Sequence, residues 1–557
     1  MSGQSFDVII VGSGAGGGAS AWALSHRGMR VLVLEAGPVY RPSEYCLDRA
    51  DWEQHLFPEK AKHRGRYTFG AMQELDAGKA GLLSWNHISG RANTSGRRMA
   101  GSYYHKRGVG GSTLIFSAEA QRLNPGSMKM YSRFGVGCDW PFSYGELEPF
   151  YCIAERIAGV AGPPGDIVRF RSESYPLPPH RLSYAGVKVR DGCRKLGLNW
   201  SENSVAILSR PYDGRPECNY CANCYRGCMR TDKGSADVTF IRKALDSGFC
   251  ELRSDCQVTG LEAGPDDRVA GVHYVDGKGT HHRLAAGAVI VSCGAIETPR
   301  LLLASASRHA PDGIGNESGQ VGRHFMETLA WSSSGLHPEP LGSYRGIAVG
   351  GVCWDFNSPD SIPDVAGGCR FCSGTPESDL LGPIGYARRV ARGWGRKHKE
   401  EMRRVFGRAL TIIAIGESLP NAGSYIDLDP DEEDALGMPV ARINTRLEGM
   451  EISRLEFMAA KSREILQASG VEEIFEEFGT YDFFSSTHVF GTCRMGTDPE
   501  NSVLDGYGRS HRWKNLFVSD ASVFPSSGGG ESPSITIEAL AIRTAGHIIH
   551  LAGRGEL

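Results

Sequence analysis

The sequence predicts a mixed α/β protein, α+β overall, built around a Rossmann-like dinucleotide-binding unit, and three observations carry that prediction. Phe6 to Pro38 reads as strand, glycine turn, helix, strand and acid in immediate succession. Further strand-rich stretches recur in the middle, from Cys250 to Ala304, and near the end of the chain. The length, 557 residues, supplies more than one core and roughly two to four folding units.

The first strand is Phe6 with Val8 to Val11, an apolar run interrupted only by Asp7. Gly12, Gly14 and Gly17 follow at G-x-G-x-x-G spacing, and an Ala-rich helix runs on to His26. Gly12 makes the tight turn, Gly14 lets backbone approach a pyrophosphate, and Gly17 lets helix pack on strand. The helix N-terminus offers free N–H groups and a positive dipole end to phosphate. The second strand, Arg30 to Leu34, ends in Glu35, placed to accept a hydrogen bond from a ribose 2′-OH. A glycine turn alone is a weak signal, but the complete unit points to a dinucleotide. An acid at this strand end excludes NADP more than it separates NAD from FAD.

Composition bounds the partners. The chain is 41% hydrophobic and 22% charged with a net charge of −3, an ordinary balance that argues against nucleic acid. No apolar run reaches the ~18 residues of a transmembrane helix. The first strand begins almost at once, which leaves no room for a signal segment and leads us to expect a cytoplasmic protein, or a periplasmic one exported with a partner.

Beyond Glu35, Val39 to Ser102 lacks periodicity and reads as irregular chain covering the cofactor. Gly110, Gly111 and Ser112 open a second phosphate or flavin approach. Ser143 caps a helix from Tyr144 to Ala158, whose Leu147, Phe150, Tyr151, Ala154 and Ile157 keep the spacing of a packed face. From Arg388 to Arg408 there are nine Lys or Arg against two Glu, with Trp394 among them. This stretch suits either a docking face for an acidic electron acceptor or, more simply, a solvated helix.

Cys218, Cys221, Cys224 and Cys228 stand at C-x2-C-x2-C-x3-C spacing, four of fifteen cysteines. Thiolates so spaced on a curling loop can surround an iron–sulfur cluster, although in ferredoxins with this run the fourth cysteine serves another cluster and a proline follows. Met229 follows here. Zinc, whose ligands usually come as two separated pairs, and a set of partly buried thiols with one disulfide are the alternatives.

Several later motifs, in order, carry a family resemblance: Val258 on a short strand, Gly294 to Pro299 followed by Leu301 to Leu303, Gly319 to Arg323, His488 to Gly496, and Asn515 to Ser522. With them the chain resembles the glucose–methanol–choline (GMC) oxidoreductases along nearly its whole length. The resemblance implies FAD, with Val258 at the adenine end and Asp520 and Ala521 at the flavin ring. It implies an FAD domain discontinuous in sequence (1–160, 230–330 and 485–557), a cysteine-rich connecting segment (161–229), and a substrate domain of antiparallel sheet and helices (331–484). The β-branched stretch Ala409 to Ile415 and an amphipathic helix from Ser453 to Ala468 agree with that, as does a terminal helix, Ile535 to Leu551, within the FAD domain.

The resemblance also implies an enzyme acting on CH–OH groups, with His488 as general base. Imidazole suits that role because its pKa lies near physiological pH. The family's second active-site position, usually Asn or His, is Ser532 in Gly530-Glu531-Ser532-Pro533. Ser532 can hydrogen-bond a substrate oxygen but is no base at neutral pH, so His488 works alone or with Glu531; Ser532 also suits a helix cap. His105 lies near where some relatives attach FAD covalently, but its spacing departs from theirs and it reads as structural. One subgroup, the sugar dehydrogenases, carries C-x5-C-x3-C, which Cys218, Cys224 and Cys228 reproduce. Three ligands suit a 3Fe-4S cluster, and Cys221 would complete a 4Fe-4S one, yet some alcohol oxidases of the family carry similar cysteines with no cluster. Phe116 after the Gly110–Thr113 run leans toward the dehydrogenases.

The implied function is therefore an FAD-dependent dehydrogenase of a sugar, glycoside or related polyol. It would pass electrons through the iron–sulfur cluster to a cytochrome c or quinone and work with a small accessory subunit. An oxidase that returns electrons to O₂ as H₂O₂, acting on fatty, aromatic or natural-product alcohols, is the second expectation. A non-redox lyase that keeps FAD is the third.

Overall fold

The computed structural model describes residues 6–45, 47, 49–54, 67–101, 103, 105–165, 168–375, 379–485 and 487–557. Its first layer is a five-stranded, wholly parallel sheet in the order Leu516–Val518, Ala286–Val291, Phe6–Val11, Val31–Leu34, Cys250–Arg253. Central strands of such a sheet are covered on both faces, which is why Val8–Val11 and Val31–Leu34 are unbroken apolar runs and are buried throughout. Helices Ala15–Ser25 and Ser534–Gly553 pack against each other on this layer. Strand order reverses around Phe6–Val11, with Val31–Leu34 on one side and Ala286–Val291 on the other. The crevice at the carboxyl ends of such strands is where doubly wound sheets bind ligands.

Gln257–Ala263, Val269–Val275 and His281–Leu284 form an antiparallel meander beside this layer. The second large layer is an eight-stranded antiparallel sheet centred on Leu329–Leu336 and Ala409–Gly416. Every residue of Ala409–Gly416 is buried, and the two faces of the strand serve different ends. Leu410, Ile412 and Ala414 belong to the core beneath helix Gly449–Ala468. Ile413 and Ile415, on the alternate face, line the large cavity.

The stretch expected to be irregular does more than cover the cofactor. Trp85–Asn86 and Arg91–Ala92 add edge strands to the eight-stranded sheet, and Tyr67–Phe69 pairs with Pro439–Asn444. Ser201–Glu202 closes the opposite edge. Strands of two or three residues carry no periodicity to read. Residues 55–66 of that stretch lie outside the described residues. The helix Tyr144–Ala158 starts where expected, with Ser143 and Glu146 forming a reciprocal capping box. The basic stretch folds into helix Gly395–Val405, led by an exposed Trp394. Among the described residues no helix is long and apolar enough to cross a membrane.

Candidate active site

A cavity of about 650 Å³ runs from the first glycine turn to the underside of the antiparallel sheet. One end is built largely of backbone. Gly12 sits at φ +95°, and a Cβ there would stand 2.5 Å from the Ser292 carbonyl oxygen. A Cβ on Gly17 would stand 2.0 Å from the Gly12 carbonyl oxygen, the close helix–strand packing expected of the third glycine. Gly14 faces Gly111 across the gap, and both line the cavity with Ser112. Gly110, also at positive φ, is held by its N–H on Ser13 Oγ. Helix Ala15–Ser25 has no side-chain cap, so its first N–H groups open to the cavity.

Glu35 lies at the adjoining wall and is already met by four protein donors: Ser13 N and Oγ, Gly37 N and Gly108 N. It therefore ties the two glycine loops together as well as facing the cavity. Burial pushes its carboxyl up against the opposing pull of those hydrogen bonds. Val258 lines the same end. Asp520 and Ala521 line the middle, where Asp520 Oδ2 accepts from Gly294 N (2.9 Å) and Thr298 Oγ1 (2.6 Å). That contact explains the threonine of the Gly294–Pro299 motif, which holds the acid just past the last strand, while φ +88° calls for the glycine. Ser292 Oγ is buried at the cavity wall without a partner among the described residues. A bare helix N-terminus, two facing glycine loops and an orphaned hydroxyl fit the pyrophosphate and ribose of FAD.

The other end is built of side chains. His488 opens one side of its ring to the cavity, and its backbone N–H is held by Thr328 Oγ1 at 2.6 Å. Its Nε2 lies 3.2 Å from Ser532 Oγ. Ser532 is not the helix cap: Pro533 takes that position with no side-chain cap, and Ser532 Oγ instead lies 3.2 Å from Glu119 Oε2. Glu531 serves elsewhere, its Oε1 accepting from Arg169 Nη2, Asn357 Nδ2 and Asn124 N. The carboxylate beside Ser532 is thus Glu119, which our sequence analysis did not single out.

Glu119 Oε2 also accepts from Arg370 Nη2 (2.8 Å), and Oε1 accepts from Gln121 Nε2 and Asn203 Nδ2 (both 2.8 Å). Burial alone would push this carboxyl up, but Arg370 and the two amides overcome burial and hold it below the usual carboxylate range. Burial likewise lowers His488, to about 4, with Glu119 pulling it up and Arg370 pushing it down. His105 lines the cavity and stacks on Tyr103.

The cysteine loop departs from its spacing-based expectation. Among the described residues no group of three or more His, Cys, Asp or Glu side chains is disposed to hold a metal ion. Tyr220, Ala222 and Gly227 in this loop stand at positive φ. Cys221 is exposed and bridges to Gly346 through its backbone, Cys218 Sγ accepts from Tyr220 N, and Cys228 Sγ donates to Asp232. The arrangement does not fit an iron–sulfur cluster, because spacing along a chain says nothing about where thiols point. The loop is instead fastened to the cofactor-facing segment by buried Lys233, whose Nζ donates to the carbonyls of Leu114, Phe116 and Cys224.

With this geometry in hand, comparison with known proteins is informative. Residues 10–52 match an NAD(P)-binding Rossmann-like domain. Residues 177–328 and 420–541 match the N- and C-terminal models described as GMC oxidoreductase. The chain is 29% identical to 2-methyl-1,2-propanediol dehydrogenase of Mycolicibacterium austroafricanum, over 97% of this chain and 95% of the relative. It is also 29% identical to the fructose dehydrogenase large subunit of Gluconobacter japonicus, over 98% of each. Pyridoxine 4-oxidase from Mesorbium loti shares the fold, with a TM-score of 0.63 at 18% identity, covering 98% of this chain and 99% of that one. Both halves of one family's pattern thus fall in order on a fold and a cavity that suit it, and the chain belongs to the GMC oxidoreductase family.

Proposed function

We propose that this protein is an FAD-dependent dehydrogenase that oxidises an alcohol group of a sugar, glycoside or related polyol to a carbonyl. The observation that carries the proposal is the His488–Ser532 pair, 3.2 Å apart, at the end of the cavity reached by Asp520 and Ala521. FAD bound along this cavity supplies the hydride acceptor. His488, kept neutral by burial, takes the hydroxyl proton of the substrate. The lining of the cavity includes aromatic rings (Phe116, Phe478, Phe483), aliphatic side chains (Ile413, Ile415) and polar groups (Thr328, Ser332, Thr480). Ser332 Oγ is buried without a partner among the described residues. Rings with interleaved hydrogen-bonding groups suit a polyol better than a long alkyl chain. The two near-full-length relatives named above are both dehydrogenases by name, one of a diol and one of a sugar, and the latter is a subunit. A small partner subunit and a cytochrome c or quinone acceptor complete the proposal.

One observation favours a second reading. Among the described residues no group of side chains is disposed to hold a metal ion, and an oxidase that forms H₂O₂ needs no metal relay. Anaerobic mixing with sugars, polyols and long-chain alcohols tests both. Polyols are expected to bleach the flavin, and reoxidation is expected to be faster with a quinone or ferricytochrome c than with O₂. Stoichiometric H₂O₂ during turnover would make the enzyme an oxidase, and a flavin that no alcohol bleaches would leave the lyase. Iron and acid-labile sulfide analysis of anaerobically purified protein checks the cysteine loop. Three or four irons per chain would restore the relay.

A further inference from the structure

The buried acid behind Ser532 has no part in the chemistry described so far, yet its geometry is specific. A serine hydroxyl carries one proton. Glu119, kept ionised by Arg370, Gln121 and Asn203, can only accept. The Ser532 proton therefore lies on the Glu119 side, and Oγ turns lone pairs toward His488 Nε2. The backbone leaves Ser532 little freedom to do otherwise, since its own N–H is fixed on Gln121 Oε1 at 2.9 Å. Arg370 is fixed in turn, with Nε on the Gly530 carbonyl.

A hydroxyl that only accepts holds the neutral ring in its Nε2–H form and leaves Nδ1 with the lone pair. The substrate proton therefore goes to Nδ1, and in the imidazolium that results Nε2–H still has Ser532 to donate to. We propose that Glu119 is a positioning residue for this proton transfer: through Ser532 it presents an acceptor to His488, and it supplies the counter-charge for the imidazolium. In this step the substrate O–H bond breaks and an N–H bond forms on His488, while Ser532 and Glu119 exchange no proton. The charged groups facing His488 are Glu119 and Arg370, and Arg370 keeps Glu119 a fixed charge rather than a proton sink. Such preorganised polar groups act where charge develops.

The inference rests on His488 being the base, and the experiment separates the two. In the FAD-loaded enzyme, E119Q removes the charge and keeps the shape. Anaerobic flavin bleaching is expected to slow by about 10²-fold, and the His488 imidazole, followed by ¹⁵N NMR, is expected to titrate at lower pH than in the wild type. E119D is expected to recover part of both. S532A is expected to slow bleaching by about tenfold with a smaller change in titration, because the charge of Glu119 remains. E119Q–R370M, which leaves no buried arginine unpaired, guards against misfolding and is expected to be slow as well. Wild-type bleaching and an unmoved titration in E119Q or in the double variant, with H488N inactive, would overturn the role of Glu119 alone. Wild-type bleaching in H488N would overturn the base beneath it.

Discussion

The two ends of the cavity are made of different material. At the cofactor end, one unbroken stretch supplies the glycine turn, the bare helix N-terminus and Glu35, and a Cβ added at Gly17 or Gly12 would stand only 2.0–2.5 Å from a carbonyl oxygen. At the catalytic end, Glu119, Asn203, Arg370, His488 and Ser532 come from five separate segments and meet through side chains. A backbone-built site has no spare room, so a single added carbon there acts as an on–off change. A site built of side chains is tuned by charge and hydrogen bonding, so its members fail by degrees.

The largest expected effect breaks the first end. In Gly12→Ala a methyl group at φ +95° must enter the space of the Ser292 carbonyl, which neither the turn nor the neighbouring strand can yield. Purified protein is expected to carry no flavin absorbance and no activity. A yellow, active Gly12→Ala enzyme would show that the glycine end is not the cofactor cradle. Next in size is His488→Asn, which is expected to keep its flavin while bleaching falls by roughly 10²- to 10⁴-fold. The contrast of a colourless variant with a coloured but slow one is the sharpest check on the division.

A smaller effect is the pH dependence of the wild type. Burial lowers His488 from 6.5 to about 4, so the ring stays neutral in a range where a free imidazole would be charged. The acid limb of the bleaching rate is expected near pH 4, and a limb near 6.5 would contradict the buried environment. The linkage has a matching sign. The unfolded chain takes up this proton near 6.5 and the folded one only near 4, so the contribution of His488 to stability is present above 6.5 and is lost as pH falls through about 4.

The same division decides what the sequence reveals. Phe6–Val11, the glycine spacing, Glu35 and the Ser143 cap are legible because each is a local pattern with a local cause. The terminal helix, expected at Ile535–Leu551, spans Ser534–Gly553 for the same reason. Glu119 is not legible, since it meets Ser532 across 413 positions and nothing in its neighbours marks an acid as buried. Its one signal is its place, three residues past Phe116 in the segment that follows the Gly110–Thr113 run. The cysteine spacing shows the opposite limit: it is local in sequence, yet Cys218 and Cys228 take partners of their own, Tyr220 N and Asp232, and no group among the described residues is disposed to hold a metal.

The smallest expected effect tests whether scaffold and site are separable. Ser143 Oγ accepts from Glu146 N, and Glu146 reaches back to Ser143 N at 2.9 Å, which starts helix Tyr144–Ala158. That helix carries Glu148 and Glu155, and both grip buried Arg122 (Nη1 to Glu148 2.9 Å, Nε to Glu155 2.8 Å). Arg122 stands three residues after Glu119, so this helix anchors the segment that reaches the active site. Ser143→Ala removes the cap and is expected to cost about 1 kcal/mol, which in a chain of this length lowers Tm by no more than about 2 °C. The two ion pairs lie in later turns and survive fraying of the first, so bleaching is expected at the wild-type rate. If stability and rate fell together, the Arg122 anchor would transmit the helix start to Glu119, and the catalytic end would depend on its scaffold as tightly as the glycine end does.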